Sequence, residues 1–296
     1  MADEKLILSP PEIASEFVEM GVKKTGNKAQ NLIILSILAG AFIAFASQGS
    51  NYAIHTIESP GLAKTLAGAL FAAGLMLVVV AGGELFTGNC LIVISCLNGK
   101  SKWSGLLRNW FYVYLGNFIG SVLIAFLIYK SGQLNASNGM LGGFTIKTAV
   151  DKTGLTFENA FYLGIMANWL VCLAVWMSAG AKDMAGKLLA IFFPIWLFIT
   201  SGFEHSIANM YYITVGIMAK SNPEWVKAAI DMGVTPDKLD ALNIVTMLSK
   251  NLIPVTLGNI AGGALFVGMS YWMTYLYRGK LMKETNEWRN HYAVQK

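Results

Sequence analysis

The residues best suited to chemistry lie in one stretch, Phe198-Ile199-Thr200-Ser201-Gly202-Phe203-Glu204-His205-Ser206-Ile207-Ala208-Asn209, between the apolar runs 188–197 and 210–218. An ionisable side chain at membrane depth costs roughly 2.5–3.5 kcal/mol on insertion scales, so one that is retained there marks a functional site. His205 is the principal candidate. The ordinary imidazole pKa of about 6.5 lets such a group hold or release a proton near neutrality. A small anion meets a steep desolvation penalty in a dry passage. Hydrogen-bond donors can offset that penalty, or a proton can remove the charge, and His205 is able to do either. Its neighbour Glu204 points about 100° away if both are helical, so the two do not share a face. Glu204 therefore reads as a structural group that satisfies loosened backbone. A second polar interruption, Gly82-Gly83-Glu84-Leu85-Phe86-Thr87-Gly88-Asn89, offers the same types: glycines, a carboxylate at Glu84, a hydroxyl at Thr87 and an amide at Asn89.

Only apolar helices can position such groups. The chain has 296 residues, 55% of them hydrophobic and 13% charged, against about 25% charged in an ordinary soluble domain. The fold class expected is an all-α membrane protein. The net charge of +5 is carried by lysines and arginines in short loops between apolar runs, which is a topology signal and not the footprint of a nucleic-acid partner. Spans are expected at 32–52, 62–97, 105–130, 157–179, 187–219 and 251–277. The second and fifth are too long for one straight crossing of a hydrocarbon core of about 30 Å and too short for two. They must break, at Gly82-Gly83 and at Ser201-Gly202. Residues 1–30 read as an N-terminal segment with an amphipathic helix over 9–26. Ser9 with Glu12 and Pro10 would start it, and Ile13, Phe17 and Met20 share one face, to lie on the membrane surface or against the protein. Residues 31–278 form the six-helix transmembrane domain and 279–296 a tail. Most of the 22 lysines and arginines then fall on the side of the two termini, so both termini are expected in the cytoplasm of a multi-pass protein of the cell membrane.

The two interruptions align. Gly82, Glu84 and Asn89 lie over Gly202, Glu204 and Asn209. The following helix repeats as well: Asn109, Gly116, Asn117 and Gly120 lie over Asn251, Gly258, Asn259 and Gly262. Three spans per half make the halves inverted relative to each other, and inverted repeats with matching broken helices are a transporter or channel architecture. The breaks free backbone groups that lipid cannot satisfy, so they face protein or a watery passage. Gly83, Gly202, Glu84, Glu204 and Asn209 are the expected structural residues there.

These residues resemble the formate/nitrite transporter family, over nearly the whole chain. The specific parts are Gly83-Glu84-Leu85-Phe86-Thr87-Gly88, the run from Leu163 to Ala174 that includes Asn168, Ser201 to Met210, and Asn251 to Asn259. Some members carry Asp where this chain has Glu84. The resemblance implies an aquaporin-like protomer with its own pore, assembled as a homopentamer in the bilayer. It implies two hydrophobic slits, Phe71 with Phe198 on the outer side and Leu75 with Leu85 on the inner. Thr87 and His205 lie between them, with Lys152 and Asn168 nearby. The implied substrates are small monovalent weak-acid anions: formate first, with nitrite or hydrosulfide as alternatives. The implied transport depends on pH and is coupled to protons through His205.

From another class, a membrane-embedded metal-dependent enzyme would use Glu204-His205. The paired His-Glu-x-x-His spacing is absent, and Cys90, Cys96 and Cys172 match no metal or redox motif. No metal, cofactor or catalytic residue is expected, and the protein is read as no enzyme. A water or glycerol pore would carry paired Asn-Pro-Ala boxes, and none occurs.

Overall fold

The computed structural model describes residues 6–277; the expected tail at 279–296 lies outside the described residues. The described chain is helical, with one isolated extended pairing between Ile7 and Ala181. Its helices are α1 (Pro10–Gly26), α2 (Ala29–Ile54), α3 (Pro60–Gly82), α4 (Gly88–Leu97), α5 (Trp103–Lys130), α6 (Met140–Thr153), α7 (Phe157–Gly180), α8 (Met184–Thr200), α9 (Ser206–Ala219), α10 (Pro223–Asp231), α11 (Pro236–Ala241) and α12 (Ile244–Tyr275). Among the described residues five helices, α2, α3, α5, α7 and α12, are long and apolar enough to cross a membrane. The shorter apolar helices α4, α8 and α9 flank the two breaks.

The ends of the broken helices follow from local sequence. α3 loosens into a π-helix over Leu77–Gly82 and stops at Gly82, whose φ is +92°. α8 stops at Thr200, and Gly202 has φ +73°. Left-handed backbone is open to glycine at little cost. In the first break the position that needs it is Gly82 and not Gly83, which is extended at φ −161°. The long helices approach each other through small residues, as is usual where packing must replace a hydrophobic driving force. A Cβ on Gly120 of α5 would strike the Ile37 carbonyl of α2, and one on Gly262 of α12 would strike the Ile165 carbonyl of α7.

The N-terminal helix takes the second of its two expected positions, and one further segment differs from expectation. α1 lies against the protein body, with Ile13 and Phe17 buried and the Phe17 ring stacked on Trp176 at 5.1 Å. Residues 140–153, which carry no span signal, form α6. This helix packs against α9 and α10, and Gly142 seats the ring of Trp225. Trp225, whose type suggests an anchor at the membrane surface, is instead buried and donates to Asn135 Oδ1 at 3.0 Å.

Candidate functional site

Each break is held by the same set of bonds. In the first, the Glu84 N–H donates to the Leu35 carbonyl at 3.2 Å, and the Phe86 N–H to Asn117 Oδ1 at 3.0 Å. The Asn117 amide returns bonds to the Glu84 and Ser36 carbonyls at 2.9 and 2.8 Å. In the second, the Glu204 N–H donates to the Leu163 carbonyl at 3.3 Å and the Ser206 N–H to Asn259 Oδ1 at 2.9 Å. The Asn259 amide donates to the Glu204 and Gly164 carbonyls at 3.0 and 2.8 Å. Buried asparagines thus satisfy the backbone that the breaks release, which lipid could not do.

The carboxylates are tied in the same duplicated way. Glu84 Oε2 accepts from Lys24 Nζ at 2.8 Å and from Asn89 at 2.6 Å, and Asn89 also donates to Asn109. Glu204 accepts from Lys152 Nζ at 2.9 and 3.1 Å and from Asn209 at 2.5 Å, and Asn209 also donates to Asn251. Asn109 and Asn251 close the two circuits on the Lys24 and Lys152 carbonyls. The Lys24 contact is absent from the sequence reading. A signal was there: Lys24-Thr25-Gly26 and Lys152-Thr153-Gly154 are separated by the same interval as Leu35 and Leu163. α1 and α6 are thus equivalent parts of the two halves.

Between the breaks lie the residues in which the halves differ. His205 stands where the first half has Leu85, and Thr87 where the second has Ile207. Thr87 Oγ1 and His205 Nε2 are 2.9 Å apart and both residues are buried. His205 also caps α9, its Nδ1 accepting the Ala208 N–H at 3.2 Å. A nitrogen that accepts carries no proton, so the neutral ring has its proton on Nε2 and donates it to Thr87. The Thr87 hydroxyl hydrogen is then left for another acceptor. The Ser206 hydroxyl, next in the chain and fully buried, has no partner.

Aromatic and aliphatic side chains close both sides. The Phe198 ring lies 5.9 Å from His205 and meets Phe71 edge-on at 5.7 Å. Toward α1 a cavity of about 410 Å³ reaches Leu75 and Leu85, both buried, and is also lined by Lys24 and Lys187. Asn168 is beside Thr87, but its amide is occupied by the Thr87 and Asn259 carbonyls at 3.2 and 2.6 Å. Lys152 lies over the Tyr212 ring at 5.3 Å besides pairing with Glu204. Among the described residues no cluster of His, Cys, Asp and Glu could hold a metal ion.

A family model described as formate/nitrite transporter matches residues 11–273. The formate channel FocA of Escherichia coli K12 is 40% identical over 274 residues, which are 91% of this chain and 95% of FocA. A probable formate transporter of Methanothermobacter thermautotrophicus is 38% identical over 90% of this chain and 97% of its own length. A solved pentameric formate channel with formate bound superposes with a TM-score of 0.74 at 40% identity, covering 84% of this chain and 98% of that one. These relatives are named as channels and transporters, and none of them as an enzyme. An all-helical chain with two matching broken helices, aligned almost end to end with such proteins, belongs to the formate/nitrite transporter family.

Proposed function

We propose that this protein conducts small monovalent weak-acid anions, formate foremost, through a pore in each protomer of a homopentamer. The formate-channel relatives and the pentameric structure with formate bound support the substrate and the assembly. The chain crosses the membrane six times, counting α3 with α4 and α8 with α9 as one crossing each. Residues 31–278 make the channel. Residues 1–30 and 279–296 are assigned with both termini to the cytoplasmic side of the cell membrane, a reading that the lysine and arginine distribution supports.

The observation that carries the reading is the buried Thr87–His205 bond of 2.9 Å, with the Phe198 ring beside His205 and edge-on to Phe71, and with Leu75 and Leu85 lining the cavity toward α1. The anion passes Leu75 and Leu85 and accepts a hydrogen bond from the Thr87 hydroxyl, whose oxygen His205 Nε2 already holds. In mild acid, His205 takes a second proton on Nδ1, giving up the Ala208 bond. The Nε2 proton moves to the Thr87 oxygen as the Thr87 hydroxyl proton moves to the anion, and the neutral acid crosses the phenylalanine slit. Near neutral pH the same path passes the anion. Lys152 stands beside the path with its charge balanced by Glu204, and Asn168 fixes the wall at Thr87.

Flux of formate, nitrite and hydrosulfide into proteoliposomes, each at neutral and mildly acidic pH, tests the proposal. Formate is expected to move fastest and to carry protons only in acid. No flux of any of the three through intact oligomers would refute it.

A further inference from the structure

Lys24, Lys64, Lys152 and Lys187, four of the lysines near the path, fall into two kinds. Lys24 and Lys152 are each within 3 Å of a buried carboxylate, so each pair presents little net charge to an approaching anion. Lys64 and Lys187 have no acidic partner among the described residues. Lys64 lies in the first turns of α3, on the stripe that continues through Gly68, Phe71 and Leu75. Gly68 abuts Trp196 and Thr200 of α8, so this stripe faces α8 and its break. The Lys64 ammonium itself lies over the turn at Gly202, 2.8 Å from where a Cβ on that glycine would sit. Lys187 occupies the first turn of α8. It lines the cavity shared by Gly82, Gly83, Leu75 and Leu85, and its Nζ donates to the Ser178 carbonyl at 3.3 Å. Lys64 thus begins the first half's broken helix and ends at the second half's break, and Lys187 begins the second half's broken helix and lines the cavity that reaches the first half's break. The arrangement is pseudo-symmetric although the two positions are not equivalent in the repeat.

We propose that Lys64 and Lys187 are the anion-collecting groups of the two mouths, one in front of each constriction, while Lys24 and Lys152 hold the breaks. The proposal rests on the anion-channel reading above. In the α1-side cavity Lys182 adds a further positive charge and Glu16 a negative one, and Lys187 lines it together with Gly82, Gly83, Leu75 and Leu85. A unit charge about 7 Å from a small anion in a water-filled mouth raises its local concentration roughly two- to threefold. That gain is present at about 0.01 M salt, where the screening length is near 30 Å, and is lost at about 1 M, where it is near 3 Å. The competing role is purely structural: an ammonium can neutralise the carbonyl end of a half-helix.

Formate flux into proteoliposomes, measured at both salt concentrations for the parent, the double variant Lys64→Gln/Lys187→Gln and Lys64→Arg/Lys187→Arg, separates the roles. The glutamine variant is expected to be slower by about two- to threefold at low salt and equal to the parent at high salt, with the arginine variant matching the parent throughout. A deficit of the same size at both salt concentrations would assign the lysines to the helix ends and overturn the proposal. So would equal flux at low salt. A parent that passes no formate at either salt would instead refute the channel reading, and this inference with it.

Discussion

Replacing Lys24 by methionine removes the cation from Glu84 while keeping much of the side chain's length. The pair is 2.8 Å apart, with side-chain exposures of 24% for Lys24 and 7% for Glu84. Removing one partner of a buried ion pair costs about 3–5 kcal/mol, because the other charge stays buried. Lys24 is partly exposed, and Asn89 still donates to Glu84 at 2.6 Å. The expected loss is therefore at or below the lower edge, about 2–3 kcal/mol. Glu84→Gln leaves a different remainder. Its amide oxygen can still accept from Asn89, and the freed Lys24 lines a cavity into which its ammonium can turn. That loss should be about 1 kcal/mol, the usual net value of a hydrogen bond. The double variant Lys24→Met/Glu84→Gln should then be more stable than Lys24→Met alone, a non-additivity that identifies direct coupling. Thermal unfolding of the detergent-solubilised protein, followed by tryptophan fluorescence, gives the order. Equal losses for the two single variants, or additive losses in the double one, would refute the reasoning. The Lys152–Glu204 pair, with exposures of 16% and 9%, should behave alike.

Three other outcomes are expected. Thr87→Val keeps the side-chain shape but leaves His205 Nε2 without its partner at 2.9 Å, and formate flux should fall about tenfold or more, while Thr87→Ser restores it. His205→Asn removes the ring that the proposal makes the proton carrier, so flux should lose the parent's dependence on pH; a variant that keeps the parent's profile rejects the proton role. Gly262→Ala drives a Cβ into the Ile165 carbonyl, which should separate α7 from α12 and lower stability by about 1–3 kcal/mol in the same unfolding assay.

The repeat was legible because its residues are of types that sequence alone makes conspicuous. Glu84 and Glu204 interrupt apolar runs, and Asn117 and Asn259 sit eight residues beyond Asn109 and Asn251. Helix limits agreed to within a few residues for most spans. The start of α12 at Ile244 did not, since Lys250 and Ser249 mask its first turns. α6 was invisible for a different reason. Its polar face and its paired glycines, Gly142 and Gly143, read as a loop, and they are helical because Trp225 and Ala228 fill the space above them. That is a tertiary effect no local pattern carries. Lys24 was missed because a lysine next to a predicted membrane boundary looks like topology, and the short Lys-Thr-Gly repeat that sets it apart from Lys23 gains meaning only with its contact to Glu84. His205 stood out as an imidazole within an apolar run and Thr87 as a hydroxyl in the other interruption, whereas their juxtaposition and the constriction residues came from family resemblance. They are the positions at which the halves differ, so the repeat itself could not have pointed to them.

Apart from the Asn168 bond to the Thr87 carbonyl, the bonds described at each break stay within their own half. Those of the first run from Lys24 to Asn117, those of the second from Lys152 to Asn259. During synthesis every member of the first set is made before any member of the second exists. The first half can therefore seal its exposed backbone inside the bilayer on its own, and the second repeats the exercise later with the opposite orientation. The Thr87–His205 bond obeys a different timetable, since it spans the halves. A nascent chain halted after α5 would hold a finished break and no passage, so the membrane stays sealed to small anions until the last helices arrive.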